Sequence, residues 1–227
     1  VIPNPFYQIY EGAALLAGVQ PKFIASDLST NFLANYQNLS EDDWEACEML
    51  FLCTPGNPSG AVIPESELQW LIQKAIEHNV ILVSDECYSE LYYDEAAPPA
   101  GLLQAAQSIG NSEFEQCLAF HSLSKRSNLP GLRSGFVAGD AALCQKLLRY
   151  RTYHGCAMPL HHQLASIAAW SDEAHVVKNR ALYRAKFNSV NEVLAPVLNT
   201  SIPKAGFYLW PNTPISDTKF ARSLLEH

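Results

Sequence analysis

Lys125 closes the segment Ser122-Leu-Ser-Lys125, and a second cation, Arg133, follows eight residues later. The preceding run, Cys117-Leu-Ala-Phe-His121, is short and apolar, which is typical of a buried strand that delivers the lysine at its end. A lysine that is buried or lies beside another cation has a lowered pKa, and its neutral amine can form a Schiff base with a carbonyl. The segment therefore predicts a reactive amine at the end of a strand.

Groups suited to a phosphate dianion surround this lysine in the sequence. They are the hydroxyls of Ser122 and Ser124 and the guanidinium of Arg133, because short donors and a planar fork match phosphate oxygens. A carbonyl-binding amine beside a phosphate site indicates pyridoxal phosphate (PLP) as the cofactor. The alternative, an exposed basic loop after a strand, stays open on these residues alone.

Two further apolar runs predict the sheet that would position these groups. Residues 49–53 and 80–84 are continuously apolar, as strands buried on both faces are. Between them, residues 64–78 carry apolar side chains at helical spacing, with Pro64 expected in the first helical turn. Strand, helix and strand at this spacing predict a crossover between parallel neighbours in an α/β fold.

Polar residues follow each predicted strand within a few positions. Ligands of parallel sheets collect beyond the carboxyl ends of the strands, so we expect Asn57, Asp85 and Lys125 to converge on one edge. A carboxylate against a pyridine nitrogen keeps that nitrogen protonated, which suits Asp85, while Asn57 and Tyr88 are candidates to bind the ring's phenolic oxygen. A turn or helix-cap role for Asp85 and a plain turn role for Asn57, which lies between two prolines, remain alternatives.

Three aromatic residues lie in the turn of residues 4–10, before a helix predicted near residues 12–17. Tyr7 is the candidate to stack over a planar cofactor, whereas Phe6 and Tyr10 are expected to serve packing.

Composition narrows the class of protein. The 227 residues include 15 basic and 23 acidic side chains, a net charge of −8 that argues against a nucleic-acid partner. No apolar run approaches the length of a membrane span. Six cysteines are scattered without a Cys-x-x-Cys pair, so reduced thiols and a cytoplasmic location are expected. His161 and His162 lack partners at ligand spacing, and no metal site is expected.

The remainder of the chain is predicted to be mostly helical. Residues 205–210 are interpreted as a strand of a second, smaller domain, and residues 149–159 as a polar aromatic loop. Both ends are interpreted as internal to a longer protein. The predicted helices, one of them a short helix opened by a Ser40 capping box, cover residues 41–47, 141–150, 160–170, 172–194 and 216–226.

Four short segments together, in this order and spacing, resemble the class I and II PLP-dependent aminotransferases, which share the aspartate aminotransferase fold. The segments are Pro55-Gly-Asn-Pro-Ser-Gly60, Asp85-Glu-Cys-Tyr88, Ser122-Leu-Ser-Lys125 and Gly131-Leu-Arg133. The resemblance implies a large domain of PLP fold type I with a mostly parallel sheet, and the start of a small α+β domain. We expect residues 1–170 to form part of the PLP-binding large domain, and residues 171–227 the interdomain helix and the start of the small domain.

The same resemblance assigns roles to individual residues. Lys125 matches the Schiff-base lysine and proton shuttle, and Asp85 matches the partner of the pyridinium nitrogen. The remaining cofactor-binding residues implied are Asn57 and Tyr88 at the ring oxygen, Ser122, Ser124 and Arg133 at the phosphate, and Tyr7 stacked on the ring.

Longer stretches resemble one branch of the family more closely. Residues 1–12, 84–92, 121–140 and 150–159 are similar to bacterial N-succinyldiaminopimelate aminotransferases, which implies transamination of a succinylated diamino acid with 2-oxoglutarate in lysine and diaminopimelate biosynthesis. An aminotransferase for aspartate or another amino acid, a related lyase or decarboxylase, and the aminotransferase-like sensing domain of a transcription regulator are the alternatives.

The family pattern also implies parts that these residues do not contain. A glycine-rich phosphate turn is expected upstream of Val1, and an arginine for the substrate α-carboxylate downstream of His227. Family members build their sites across a homodimer. We therefore expect an active homodimer when the protein is full length, and little or no activity from this piece alone.

Overall fold

The computed structural model describes all residues from 1 to 227. Its strands form two sheets: β1 (Ile2–Asn4) pairs in parallel with β2 (Phe23–Ala25), and four strands pair in the order β3-β4-β5-β6. The strands of the larger sheet are β3 (Met49–Cys53), β4 (Ile81–Asp85), β5 (Cys117–Ser122) and β6 (Gly135–Gly139). The first three are parallel to one another, and β6 runs antiparallel to β5.

Nine α-helices accompany the sheets. They are α1 (Gln8–Leu16), α2 (Glu41–Glu45), α3 (Glu65–His78), α4 (Leu102–Ser108), α5 (Leu123–Arg126), α6 (Ala141–His154), α7 (Leu160–Trp170), α8 (Ala174–Leu194) and α9 (Asp217–Glu226). None of the nine is both long enough and apolar enough to cross a membrane.

The predicted crossover is confirmed by β3, α3 and β4. Helix α3 buries one face, with Leu68, Leu71, Ile72 and Ala75 fully inaccessible to solvent. Its neighbour in the pattern, Ile76, remains 38% exposed. Pro64 is the residue that precedes the helix rather than a member of its first turn, which suits its fixed φ and missing N–H donor. The buried face joins the two strands to one apolar core, which also contains α4.

The predicted capping box at the start of α2 is also confirmed. The Ser40 hydroxyl accepts a hydrogen bond from the Asp43 backbone N–H, and the Asp43 carboxylate accepts one from the Ser40 N–H. Two of the helix's otherwise unpaired N–H donors are thereby satisfied.

Helix α8 is attached to the segment after β4 by a buried arginine. The Arg180 guanidinium donates to both carboxylate oxygens of Glu95 at 3.0 Å, donates to Glu90 at 3.1 Å, and lies 4.2 Å from the centre of the Tyr92 ring. Hydrogen bonds from Arg180, and then from Arg184, hold the pKa of Glu95 below its ordinary value. Arg180 is only 4% exposed. Its buried ion pairs with Glu90 and Glu95 therefore hold α8 against the segment after β4.

Two predictions need correction, and one strand was not predicted. Residues 149–154, expected as a loop, continue α6, because no helix breaker occurs before Gly155. Residues 205–210 form no strand; only Ala205 makes an isolated bridge, to Tyr92, and Gly206 has a left-handed φ of 83° that interrupts extended backbone. Strand β6 was not recognised, because glycine at both of its ends weakens the strand pattern.

Truncating the buried face of α3 should destabilise the whole chain. Leu71→Ala is expected to lower the free energy of unfolding by about 2–5 kcal/mol, since it removes buried methyl groups and leaves a cavity. Leu148→Ala, on the exposed side of α6, is the matched control and should change it by about 0.5 kcal/mol or less. Urea titration followed by circular dichroism measures both, and equal losses would contradict the assignment of the core.

Candidate active site

The carboxyl ends of β3, β4 and β5 meet at one edge of the sheet. Asp85 is the last residue of β4, and it lies in register between Cys53 at the end of β3 and Phe120 of β5. Lys125 lies in α5, which begins where β5 ends. The structure therefore brings the acid and the amine to the same edge, as parallel pairing requires.

The Asp85 carboxylate is held at both of its oxygens. Oδ2 accepts a hydrogen bond of 2.6 Å from the Tyr10 hydroxyl, and Oδ1 accepts one of 3.1 Å from the Cys87 backbone N–H. The first donor comes from α1 and the second from the turn after β4. Two donors from different elements fix the plane of the carboxylate.

Aromatic rings surround the Lys125 amine. Its Nζ lies 4.6 Å from the centre of the Phe207 ring and 5.9 Å from that of the Tyr88 ring. The Lys125 carbonyl accepts a hydrogen bond of 3.3 Å from the Asn179 side chain, which ties α5 to α8. The Lys125 backbone is thus anchored, while its amine lies beside the Phe207 and Tyr88 rings.

The charges of Asp85 and Lys125 both act on the Cys87 thiol. Burial raises the pKa of Cys87, the Asp85 carboxylate raises it further, and the Lys125 ammonium lowers it. Opposite effects on one thiol indicate that the acid and the amine lie within electrostatic reach of the same point. Cys87 itself stays a neutral thiol and is not a nucleophile at physiological pH.

Tyr88 lies in the turn after β4, three residues beyond Asp85, and is 5% exposed. Its ring packs against the Phe207 ring with centres 5.3 Å apart. Burial, followed by a hydrogen bond with Tyr208, raises the pKa of Tyr88 above its ordinary value. The phenol is therefore a protonated hydrogen-bond donor over the physiological range.

Asn57 lies in the loop after β3, on the Cys53 side of Asp85. Its backbone N–H donates to the Cys53 sulfur at 3.4 Å, and its side chain makes no hydrogen bond within the chain. The backbone contact places Asn57 beside Cys53, at the strand end that neighbours Asp85. A free amide at that position can bind a ligand oxygen.

The proposed phosphate ligands are only partly assembled. The Ser122 hydroxyl donates to the Ser124 hydroxyl at 2.9 Å and accepts from the Ser124 N–H at 3.1 Å, so the two hydroxyls are adjacent. Arg133 lies on an exposed turn, and its guanidinium donates to the Pro130 carbonyl at 2.9 Å. It makes no hydrogen bond to either serine and lines a separate open cleft with Phe136. The structure therefore pairs the two serine hydroxyls with each other but not with Arg133.

Tyr7 precedes α1 and is 38% exposed. Its ring meets the edge of the Tyr10 ring with centres 5.9 Å apart. The other Tyr7 neighbour in the predicted turn, Phe6, stacks on Phe23 at 5.1 Å, so its expected packing role is confirmed. Tyr7 thus presents an accessible ring near the Asp85–Tyr10 pair.

Sequence reasoning missed two residues of this edge. Tyr10 was expected only to pack, and it does stack on Phe51 at 5.0 Å, but its hydroxyl also binds Asp85. The spacing of three from Tyr7 on a helix was the available signal, since residues i and i+3 share a face. For Phe207 no local signal exists, because its contact with Lys125 depends on how a distant segment returns to the sheet.

Gly60 allows residues 203–207, the segment that carries Phe207, to pack closely against the loop after β3. A Cβ at Gly60, which has φ +69°, would lie 2.3 Å from the Ala205 carbonyl oxygen and 2.6 Å from the Pro203 Cβ. The segment is further held by the Gly206 N–H, which donates to the Leu91 carbonyl at 2.7 Å, and by the Tyr93 hydroxyl, which donates to the Gly206 carbonyl. Close backbone approach at Gly60 therefore brings Phe207 over Lys125.

Comparisons with known proteins agree with this geometry. The family model described as "Aminotransferase class I and II" matches residues 1–227. An LL-diaminopimelate aminotransferase of Maridesulfovibrio salexigens is 29% identical over 230 residues, which cover 100% of this chain and 58% of that protein. The chain belongs to the class I and II aminotransferases.

Solved structures give the same result. An aminotransferase from Neisseria meningitidis superposes with a TM-score of 0.90 at 47% identity, over 99% of this chain and 57% of the other. A probable N-succinyldiaminopimelate aminotransferase from Thermus thermophilus superposes with a TM-score of 0.88 at 26% identity, over 99% and 60%. The fold is that of the aspartate aminotransferase type, as the sequence predicts, and the chain spans a little under three-fifths of the length of most such relatives.

Adding a side chain at Gly60 should displace the segment that carries Phe207. Gly60→Ala is expected to lower the free energy of unfolding by about 2 kcal/mol or more, because it combines a left-handed φ with the clash. Faster proteolysis within residues 203–210 should accompany the loss. Gly12→Ala is the control: nothing lies within 4 Å of its Cβ, and it should stabilise helix α1 by about 0.5–1 kcal/mol. Unchanged proteolysis in Gly60→Ala would contradict the close approach.

Proposed function

We propose that this chain carries the cofactor site of a PLP-dependent transaminase. The observation that supports it most directly is the meeting of Asp85 and Lys125 at one strand edge, with the Tyr88 ring 5.9 Å from the Lys125 amine. A carboxylate can accept the hydrogen bond of a protonated ring nitrogen, an amine can bond to an aldehyde carbon, and a neutral phenol can donate to a ring oxygen. The residues present therefore fit this cofactor.

Each predicted residue has a place in this proposal. Asp85 would bind the protonated ring nitrogen, and Lys125 would bind the aldehyde carbon covalently. The other contacts are Tyr88 and Asn57 to the ring oxygen, Ser122, Ser124 and Arg133 to the phosphate, and Tyr7 stacked on the ring. When bound, the cofactor supplies an electron sink for the charge left on a substrate carbon after its proton departs.

Lys125 performs the proton transfer in this proposal. Its free Nζ would take the substrate α-proton as a general base and would give that proton back as a general acid. Phe207, 4.6 Å from the amine, covers one side of Nζ and limits the access of water. The Asp85 carboxylate would hold the ring nitrogen through a hydrogen bond, with its own orientation set by the Tyr10 hydroxyl and the Cys87 N–H.

The substrate is proposed to be a diaminopimelate-type amino acid, with 2-oxoglutarate as the acceptor. N-succinyl-LL-2,6-diaminopimelate is the donor we favour from the resemblance, and the name of the Thermus thermophilus structure supports it. The names of several curated relatives support LL-diaminopimelate itself as the second candidate. Measuring glutamate formation with each donor distinguishes them, and product analysis separates transamination from decarboxylation or lyase chemistry.

Assembly and domain division are parts of the same proposal. We propose a cytoplasmic homodimer for the full-length protein, with residues 1–170 in the cofactor-binding domain and residues 171–227 leading into a smaller one. Analytical ultracentrifugation of the full-length protein tests the dimer.

Lys125→Ala in the full-length protein should abolish the visible absorbance of the bound cofactor and lower turnover by roughly 100-fold or more, because it removes both the covalent link and the proton carrier. Borohydride reduction followed by mass spectrometry should place the cofactor's mass on the peptide with Lys125. Lys146→Ala, on the exposed side of α6, should leave absorbance and turnover unchanged. Retention of both properties in Lys125→Ala would remove this lysine from the mechanism.

Asp85→Asn and Asp85→Ala should retain part of the cofactor affinity but lose roughly 100-fold or more in kcat, since the charge that keeps the ring nitrogen protonated is gone. Asn preserves the shape of the side chain, so similar losses in both variants would assign the effect to charge. Asp94→Asn, in the exposed turn, is the control. A full rate in Asp85→Asn would show that the ring nitrogen has another partner.

A further inference from the structure

We propose that Tyr10 is a positioning residue that sets the orientation of the Asp85 carboxylate toward the cofactor's ring nitrogen. This inference rests on the proposed transaminase function. It assigns a role to a side chain outside the predicted cofactor ligands, and the observation that carries it is the hydrogen bond of 2.6 Å from the Tyr10 hydroxyl to Asp85 Oδ2.

Packing restricts the Tyr10 ring to one position. The side chain is 5% exposed, and its ring stacks on Phe51 of β3 with centres 5.0 Å apart and planes 16° from parallel. The Tyr7 ring meets it edge-on from the start of the same helix. A ring clamped between a strand and its own helix holds its hydroxyl at a fixed point.

Electrostatics make Tyr10 a permanent donor. Burial raises the pKa of its phenol far above the ordinary value, and the neighbouring Cys53 and Asp85 groups raise it further. Cys53 is itself a neutral thiol, because burial followed by the Asp85 charge raises its pKa to about 12. Asp85 is therefore the one anion that the Tyr10 hydroxyl faces, and a neutral hydroxyl stabilises that anion by donating to it.

The two donors to Asp85 have different consequences for its orientation. The Cys87 N–H lies only two residues beyond Asp85 in the same stretch of chain and moves with it, whereas Tyr10 belongs to α1. Only Tyr10 therefore fixes the carboxylate relative to a separate element, the one that also carries the predicted ring-stacking residue, Tyr7. Removing the hydroxyl should leave Oδ1 bound to the Cys87 N–H but free Oδ2 from α1, so that the carboxylate can turn relative to that helix.

The test is Tyr10→Phe in the full-length protein, loaded with PLP labelled with nitrogen-15 in the ring. We expect kcat to fall about 10- to 100-fold, the range given by loss of one charge-assisted hydrogen bond, with KM for the amino donor unchanged. Nitrogen NMR should show the ring nitrogen losing its proton at a lower pH than in the wild type. A side chain with a purely structural role would not shift that titration.

Tyr36→Phe is the matched control, because it removes the hydroxyl of another buried tyrosine, and Asp85 accepts no hydrogen bond from it. It should leave both the rate and the ring-nitrogen titration at wild-type values. A Tyr10→Phe protein with wild-type kcat and titration would overturn the proposal. A wild-type protein that binds no PLP would instead refute the proposed function, so the two failures are distinguishable.

A second measurement needs no Tyr10 variant and decides the matter if Tyr10→Phe does not fold. In the wild-type protein, proton NMR with tyrosine labelling should show a slowly exchanging, low-field Tyr10 hydroxyl resonance that moves upfield in Asp85→Asn. A Tyr10 resonance that is unaffected by the charge of residue 85 would overturn the assignment.

Discussion

Parallel pairing of β3, β4 and β5 is the constraint on which the site depends. Parallel strands in register end at the same edge, so the residues that follow them share one space regardless of their separation in the chain. The register places Cys53 beside Asp85, and β5 then delivers Lys125 on the next element. The apolar face of α3 maintains this register, because a slip of one residue would turn the buried side chains of the strands to the opposite faces.

A second constraint comes from the return of the chain to this edge. Helix α8 is held by the buried ion pair of Arg180, and the segment beyond it crosses the loop at Gly60 without room for a side chain. Phe207 reaches Lys125 as a result. The position of Phe207 at the site therefore depends on contacts between parts of the chain that are far apart in sequence. The residues that make these contacts, such as Arg180 and Gly60, are not themselves candidate catalytic or cofactor-binding residues.

The difference between strand pairing, which follows local sequence patterns, and long-range packing, which does not, explains what the sequence can predict. Continuous apolar runs and helical spacing predict β3, α3 and β4, and the strand ends then place Asp85 and Lys125 without knowledge of the structure. The same reasoning fails for β6, whose glycines obscure the pattern, and for residues 149–154, where helix continues through polar aromatic residues. Phe207 and the hydrogen bond of Tyr10 depend on tertiary contacts, which local pattern does not report. Whether each candidate ligand performs its assigned role stays a prediction.

Burial keeps four polar side chains of this edge neutral. Tyr10, Tyr88, Cys53 and Cys87 all have pKa values raised first by burial, so each remains neutral at physiological pH. The Asp85 carboxylate, in contrast, accepts two hydrogen bonds, one from the Tyr10 hydroxyl and one from the Cys87 backbone N–H. Its two bound donors also fix the direction from which a cationic ring nitrogen must approach.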